Sequence, residues 1–365
     1  MPAIAGELQR SWSPAEAAEA PRSEFQDRVT RQTKKLRHSQ CFESYLRARG
    51  NIVRMMDDWQ NSDPEGGPSA YWKEEIDGFL YMFDASPLIV GKLREQCYHL
   101  TSVRSYDYRQ HHAHLAPDFV AKFQRLSAID RRGLFVPESP RLGGFGFDVG
   151  PGMANLDTLK FYEVLIGMDK AGLIEPLSKG RRRKVVVEIG SGWGGFAYQL
   201  KTLCPRITYV CVDLPPTMLF SSVYLSSQFP DARVLFYGQP DFETEIRRIE
   251  TYDFVFLPHY YFPRLPKVRV DLGINMVSFQ EMTSDQVDTY ARVLKEHGCR
   301  SLYSLNRECS KHNTQMSTVS EILSRYYTLE MIHVLEEQYV HLRPPAKKMP
   351  ELSKLDYRHY CGRAA

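Results

Sequence analysis

"VVVEIGSGWGG", residues 185 to 195, decides how this chain is read. Three valines, an acid and an isoleucine run into a segment with four glycines in six positions. β-Branched residues favour a half-buried or buried strand. Glycines let a backbone turn sharply and approach a bound group closely. A buried strand feeding a glycine-rich turn is the arrangement that cradles nucleotides. The glycines fall into two registers. Gly190, Gly192 and Gly195 give G-x-G-x-x-G, a dinucleotide fingerprint. Glu188, Gly190, Gly192 and Gly194 give E-x-G-x-G-x-G, which suits another nucleoside cofactor.

Asp213 lies 18 residues beyond Gly195, at the end of the next strand-like run, "ITYVCVD". An acid there holds ribose hydroxyls in either register, so it does not discriminate. Glu188 does, because a carboxylate inside the strand end would repel an anionic pyrophosphate. Trp193 and Gly194 replace the small, loosely constrained residues of a pyrophosphate turn.

The surrounding pattern alternates strands and helices, which argues a doubly wound, largely parallel sheet. "NLDTLKFYEVLIGMDKAG" reads as a helix, "KVVVEIG" as a strand and "GGFAYQLKTLC" as a helix. "ITYVCVDLP" is a strand, "PTMLFSSVYLSSQF" a helix and "ARVLFYG" a strand. "YDFVFLP" and "VDLGINMVSF" are both strand-like where one strand is needed. The second is taken as the fourth strand, leaving the first as an insertion or the true third strand. "TSDQVDTYARVLKEHG" carries a Thr283–Gln286 capping box and ends at Gly298. "CRSLYSLN" is the next strand, and "YTLEMIHVLE" with "YVHLRP" reads as a closing antiparallel hairpin.

Residues 25 to about 130 read as helical. In "YWKEEIDGFLYMF", Trp72, Ile76, Phe79, Leu80 and Phe83 share one helical face. "NSDPEGGPS" (61–69) breaks the pattern before it, and "ESPRLGGFGFDVGPG" (138–152) closes the region. The expected organisation is a flexible tail over 1–24, a helical lid and acceptor region over 25–150, and a cofactor-binding domain over 151–365.

The 365 residues carry a formal charge of +3, too little to imply a nucleic-acid partner. No apolar run approaches the roughly 20 residues of a membrane helix, and the first residues lack the basic start and apolar core of a signal peptide. The seven cysteines are scattered without C-x-x-C, which fits reduced thiols and a cytoplasmic setting. No residue pattern fixes an oligomeric state.

Taken together, "VVVEIGSGWGG", "VCVDLPPTM", "VDLGINMVSFQEMT" and "LYSLNRE" resemble the class I S-adenosylmethionine-dependent methyltransferases, over roughly residues 155 to 343. The narrower resemblance is to bacterial sugar O-methyltransferases. It implies an α/β, Rossmann-like sheet with an antiparallel closing hairpin, and S-adenosylmethionine as cofactor. It also implies that Glu188, Gly190, Gly192 and Gly194 shape the methionine pocket and Asp213 binds the ribose. Tyr162 and Asn155 precede the first strand, where such folds close over the methionine end. Gln239, Asp241 and His259 compete for the neighbourhood of the adenine.

Transfer of a methyl group to a sugar hydroxyl needs close alignment and gains from a general base at the carboxyl edge of the sheet. Glu281 directly follows the fourth strand, and His259 is the rival. Asn275, Gln280 and Asn306 stand at strand ends and could orient hydroxyls. His111, His112 and His114, in "HHAH", are not a standard ligand set. Asp271, Glu281 or Asp285 would serve magnesium better, and no metal is expected. The acceptor is thus expected to be a sugar or glycoside. The alternatives are a non-sugar metabolite such as a polyketide or phenol, and a non-catalytic partner protein of the same fold.

Overall fold

The computed structural model describes residues 23–62, 68, 70–309, 318–345 and 352–364. Most of the expected tail lies outside these residues. Ser23 and Glu24 do not, and Ser23 caps the helix Glu24–Arg37 through a capping box with Gln26. Part of the expected break, 63–67 and 69, also lies outside.

A short antiparallel hairpin, β1 (Phe147–Asp148) and β2 (Met153–Ala154), leads into the main sheet. Five strands follow in chain order: β3 (Lys184–Ile189), β4 (Ile207–Asp213), β5 (Val234–Phe236), β6 (Phe254–Pro258) and β7 (Leu272–Met276). Then come β8 (Ser301–Asn306), β9 (Thr328–Met331) and β10 (Arg358–Arg363). Their spatial order is β5-β6-β4-β3-β7-β8-β10-β9. The first six in that order are parallel, and β10 runs antiparallel to both its neighbours. β4, β6 and β7 are buried almost end to end, as parallel strands covered on both faces must be.

Two expectations are settled by pairing. Phe254–Pro258 is the true third strand, because it pairs with β4 over five residues. Val234–Phe236 pairs only with β6 and is an added edge strand. The closing pair is corrected. Its second member is Arg358–Arg363, not "YVHLRP" at 339–344. The carbonyls of Gln338, Tyr339 and His341 instead accept from the Lys122 ammonium, so they are not free for a ladder. β10 was hidden because its buried positions are His359, Cys361 and Gly362, which carry no β-strand signature.

The helical N-terminal region shares the main hydrophobic core. Tyr45, Ala48, Ile52 and Met55 form one buried face of the helix Gln40–Ser62, which packs along the helix Pro215–Gln228. The face expected around Trp72 is interrupted. The helix Ala70–Phe79 tightens into a 3-10 turn at Leu80–Asp84, which rotates Leu80 outward and Met82 inward. Among the described residues no helix is long and apolar enough to cross a membrane.

Candidate functional site

The carboxyl ends of β3 and β7 lie side by side where the strand order reverses, the usual ligand crevice of such sheets. A cavity of about 290 Å³ opens there. Its walls include Glu188, Gly190, Gly192, Asp213, His259 and Glu281. Six positions singled out from the sequence thus meet in one space.

The glycine turn is built as its spacing requires. Gly190, Gly192 and Gly194 have φ of 74°, 53° and 82°, a region costly for side-chain-bearing residues. Their roles differ. A Cβ on Gly192 would meet nothing within 4 Å, so this residue faces open space. A Cβ on Gly194 would lie 3.1 Å from Leu225 Cγ and Ser221 Cβ. Gly194 therefore lets the helix Gly195–Leu203 approach the helix Pro215–Gln228, and it is not in the cavity wall.

Asp213 accepts from Gly192 N at 2.7 Å through Oδ2, and from Leu214 N and Thr217 Oγ1 at 2.7 and 2.6 Å through Oδ1. A carboxylate offers about four lone-pair sites, so one further donor can still be accepted. Glu188 is buried and accepts the Tyr209 hydroxyl at 2.8 Å. Burial pushes its carboxyl up to about 8, despite that bond.

After β7 the chain turns sharply. Val277, a β-branched residue, sits at φ 57°, an outlier conformation of the kind that clusters at functional sites. The 3-10 turn Phe279–Glu281 then brings Glu281 to the cavity. Burial raises the Glu281 carboxyl to about 7, against the lowering influence of Trp72, Gln280 and Arg307. His259 follows β6 and meets the edge of Trp59, from the N-terminal region, at 4.7 Å between ring centroids. Of the three residues expected to compete for the adenine, His259 lines the cavity, and neither Gln239 nor Asp241 does. Gln239 accepts from Phe236 N, and Asp241 is exposed at the start of a short helix.

Five expected site residues lie elsewhere. Asn155 caps the helix Leu156–Lys170 and donates to Glu138, and the Tyr162 hydroxyl donates to Asp130 at 2.8 Å. Asn275 donates to Ile189 O and Ser278 Oγ, and accepts from Phe279 N and Asn306 Nδ2. Gln280 accepts from Arg307 N. Asn275, Gln280 and Asn306 are all buried and none of them lines the cavity, and Asn306 Oδ1 is buried without a hydrogen-bond partner. His111, His112 and His114 occupy the 3-10 turn Gln110–Leu115. Among the described residues no three His, Cys, Asp or Glu side chains are grouped to hold a metal.

Sequence reasoning missed Lys160, Trp72, Tyr339 and Tyr357, which also line the cavity. Lys160 had a signal. Asp157, Lys160 and Glu163 recur every three residues along the buried stretch of a largely apolar helix. Lys160 Nζ bonds Asp157 Oδ1 at 3.1 Å and lies 4.8 Å from the Phe161 ring centroid. Trp193 is held by the fully buried Arg94, whose guanidinium carbon sits 3.9 Å from the indole centroid. Arg94 in turn pairs with Glu138 at 2.8 Å and Asp157 at 3.0 Å. A buried arginine from the N-terminal region thus supports the tryptophan of the glycine turn.

No family model and no curated protein matches the chain. Among solved structures it is similar to an O-methyltransferase family protein from Burkholderia thailandensis, at 10% identity and TM-score 0.31, over 57% of this chain and 59% of that one. It is also similar to WbdD, at 15% identity and TM-score 0.34, over 57% and 39% of the two chains. A third is the small RNA methyltransferase HEN1, at 12% identity and TM-score 0.35, over 54% and 25%. The matched part is less than two thirds of each of those chains. The decisive feature is the chain's own topology, with the last strand inserted antiparallel between the two before it and the glycine turn at the switch point. This is the Rossmann-like fold of the class I S-adenosylmethionine-dependent methyltransferases.

Proposed function

We propose that the protein is an S-adenosylmethionine-dependent O-methyltransferase acting on a sugar hydroxyl. The observation that carries this reading is the shared cavity, where the glycine turn and Asp213 face Glu281, a carboxyl raised to about 7. The residues fit the cofactor. Gly192 opens onto free space, and Asp213 can accept one more donor, as a ribose hydroxyl requires. Glu188 and Lys160 set an acid and an ammonium in the same wall, matching the ammonium and carboxylate of an amino-acid end. A dinucleotide pyrophosphate would meet the Glu188 carboxyl instead.

When bound, the cofactor supplies an electrophilic methyl group on a sulfonium. The chain's residues do the remainder. Asp213 orients the ribose end, and Glu188 with Lys160 the amino-acid end. Glu281 accepts the proton of the acceptor hydroxyl as that oxygen attacks, a role suited to a group that titrates near neutrality. The apolar walls of Trp72, Phe161 and Trp193 exclude water and offer faces to a sugar ring. The N-terminal helical region acts as a lid, supplying Trp72 to the wall.

The same aromatic walls favour a phenolic metabolite as the second reading. Methyl transfer from labelled cofactor to a panel of glycosides and phenols separates the two. S-adenosylmethionine should raise the melting temperature and NAD should not. Equal stabilisation by NAD would overturn the cofactor assignment. A chain that binds the cofactor yet methylates nothing in either panel would be a binding partner, not this enzyme.

A further inference from the structure

A second chamber of about 340 Å³ adjoins the cavity. The two share a wall of Thr101, Ser102, Lys160, Tyr339 and Tyr357. The Tyr339 and Tyr357 rings meet at 4.7 Å between centroids and 60° between planes. Lys160 Nζ lies 5.6 Å from the Tyr339 centroid.

This wall is fixed from behind. Lys122, fully buried on the helix Ala116–Ile129, donates to the backbone carbonyls of Gln338, Tyr339 and His341 at 3.1, 2.9 and 2.8 Å. Glu163 balances its charge at 3.4 Å. Arg125, one turn on, bonds Glu337 and the carbonyl of Leu342. Gln338 then ties in the second tyrosine, donating to Asp356 at 2.6 Å and accepting from Tyr357 N at 3.2 Å. Both tyrosines hang on one framework, so the partition exists before any ligand arrives.

Beyond the partition stand Arg104, Asp107 and Tyr108. Arg104 and Asp107 are exposed at the rim. Aromatic faces with hydroxyls, the Arg104 guanidinium, the Lys160 ammonium and the carboxylates of Asp107 and Asp157 around them suit a pyranose ring, which has apolar C–H faces and an edge of donors and acceptors. We infer that this chamber holds the neighbouring ring of the acceptor, so that the substrate is a glycoside of two or more units, with the methylated hydroxyl at Glu281. This rests on the sugar-acceptor reading. Rigid walls let the second ring contribute binding without an ordering cost, and that binding can be used at the reacting centre.

The test compares methyl glycosides of single pyranoses with disaccharides bearing the same terminal ring, in the full chain with S-adenosylmethionine. Wild type should show kcat/KM about tenfold or more higher for the matched disaccharide. The double variant Arg104→Ala, Asp107→Ala should lose that advantage through KM. Its kcat/KM on the single-ring acceptor and its cofactor affinity should stay at wild-type values. Equal kcat/KM for the two acceptors in wild type overturns the second subsite while leaving the sugar reading intact. So does an equal loss on both acceptors in the variant. No transfer to any sugar, with the cofactor still raising the melting temperature, removes the sugar reading and the second subsite with it.

Discussion

Asp213 Oδ2 accepts the backbone N–H of Gly192 at 2.7 Å, so the acid that ends β4 closes the glycine turn that follows β3. The residue expected to hold a ribose also holds the loop beside it. Leu214 N and Thr217 Oγ1 are its other two donors. Asp213→Ala should therefore lose cofactor binding and also fold stability, by about 1–3 kcal/mol for the donors left behind. Thr217→Val should keep the bond to Gly192 and lose only a few-fold in affinity. Calorimetry and thermal melting check both. An Asp213→Ala variant that melts like wild type would show that the turn does not depend on this carboxylate.

Two glycines of the turn should fail differently. Gly192→Val places its side chain in open space at φ 53°. It should stay folded, at a cost of about 1–2 kcal/mol for the left-handed backbone, and lose the cofactor. Gly194→Val brings its Cβ to 3.1 Å from Leu225 and Ser221 at φ 82° and should lower the melting temperature more than Gly192→Val does. Circular dichroism with cofactor titration reads both outcomes, and the reverse pattern would refute the division of roles.

Glu188 should tie cofactor binding to pH. Its carboxyl, raised to about 8 by burial, keeps its proton at neutrality. The cationic end of the cofactor beside it should draw that proton off. Binding should release protons at pH 7, and affinity should rise with pH up to about 8. Stability moves the other way. The folded chain holds a proton that the unfolded chain has lost above about 4.5, so Glu188 lowers stability progressively from about pH 4.5 to 8. Glu188→Gln should remove both dependences. Calorimetry in buffers of different ionisation enthalpy measures the proton release, and a flat affinity from pH 6 to 8.5 would count against the assignment.

The base is tested by its pH limb. With Glu281 raised to about 7, kcat/KM should climb to a plateau above about pH 7. Glu281→Gln should abolish that limb and cut the rate by about 10²- to 10⁴-fold, with cofactor affinity barely changed. His259→Asn is the control. A large loss there, with Glu281→Gln within a few-fold of wild type, moves the base to His259.

Arg94 links the N-terminal region to the turn. Arg94→Met leaves Glu138 and Asp157 buried without their guanidinium, although Asp157 keeps Lys160. The expected loss is about 3–5 kcal/mol. Trp193 loses its stacked cation, so its fluorescence should change and cofactor affinity should fall. Arg94→Lys should recover stability only in part, since an ammonium cannot make the same forked contacts.

Near neighbours along the chain specify the local elements. The valines of β3, the glycine turn, Asp213 at the end of β4 and the Thr283–Gln286 capping box are each specified within a few residues. Backbone conformation and capping depend on near neighbours, so these were legible. Glu188, Asp213, His259 and Glu281 reached one cavity because parallel strands bring their carboxyl ends to one edge. Long-range pairing depends on how distant segments pack. β6 took the third position because it pairs with β4, and β10 entered the sheet although its residues carry no strand pattern. Asn275 stands at a strand end like a site residue, yet its amide found hydrogen-bond partners within the protein, the Asn306 amide nitrogen among them. Lys160, Tyr339 and Tyr357 became walls because Lys122 and Arg94 pull distant segments together. A buried polar group must be satisfied, and which distant residue satisfies it is set by how the chain packs, not by its neighbours in sequence.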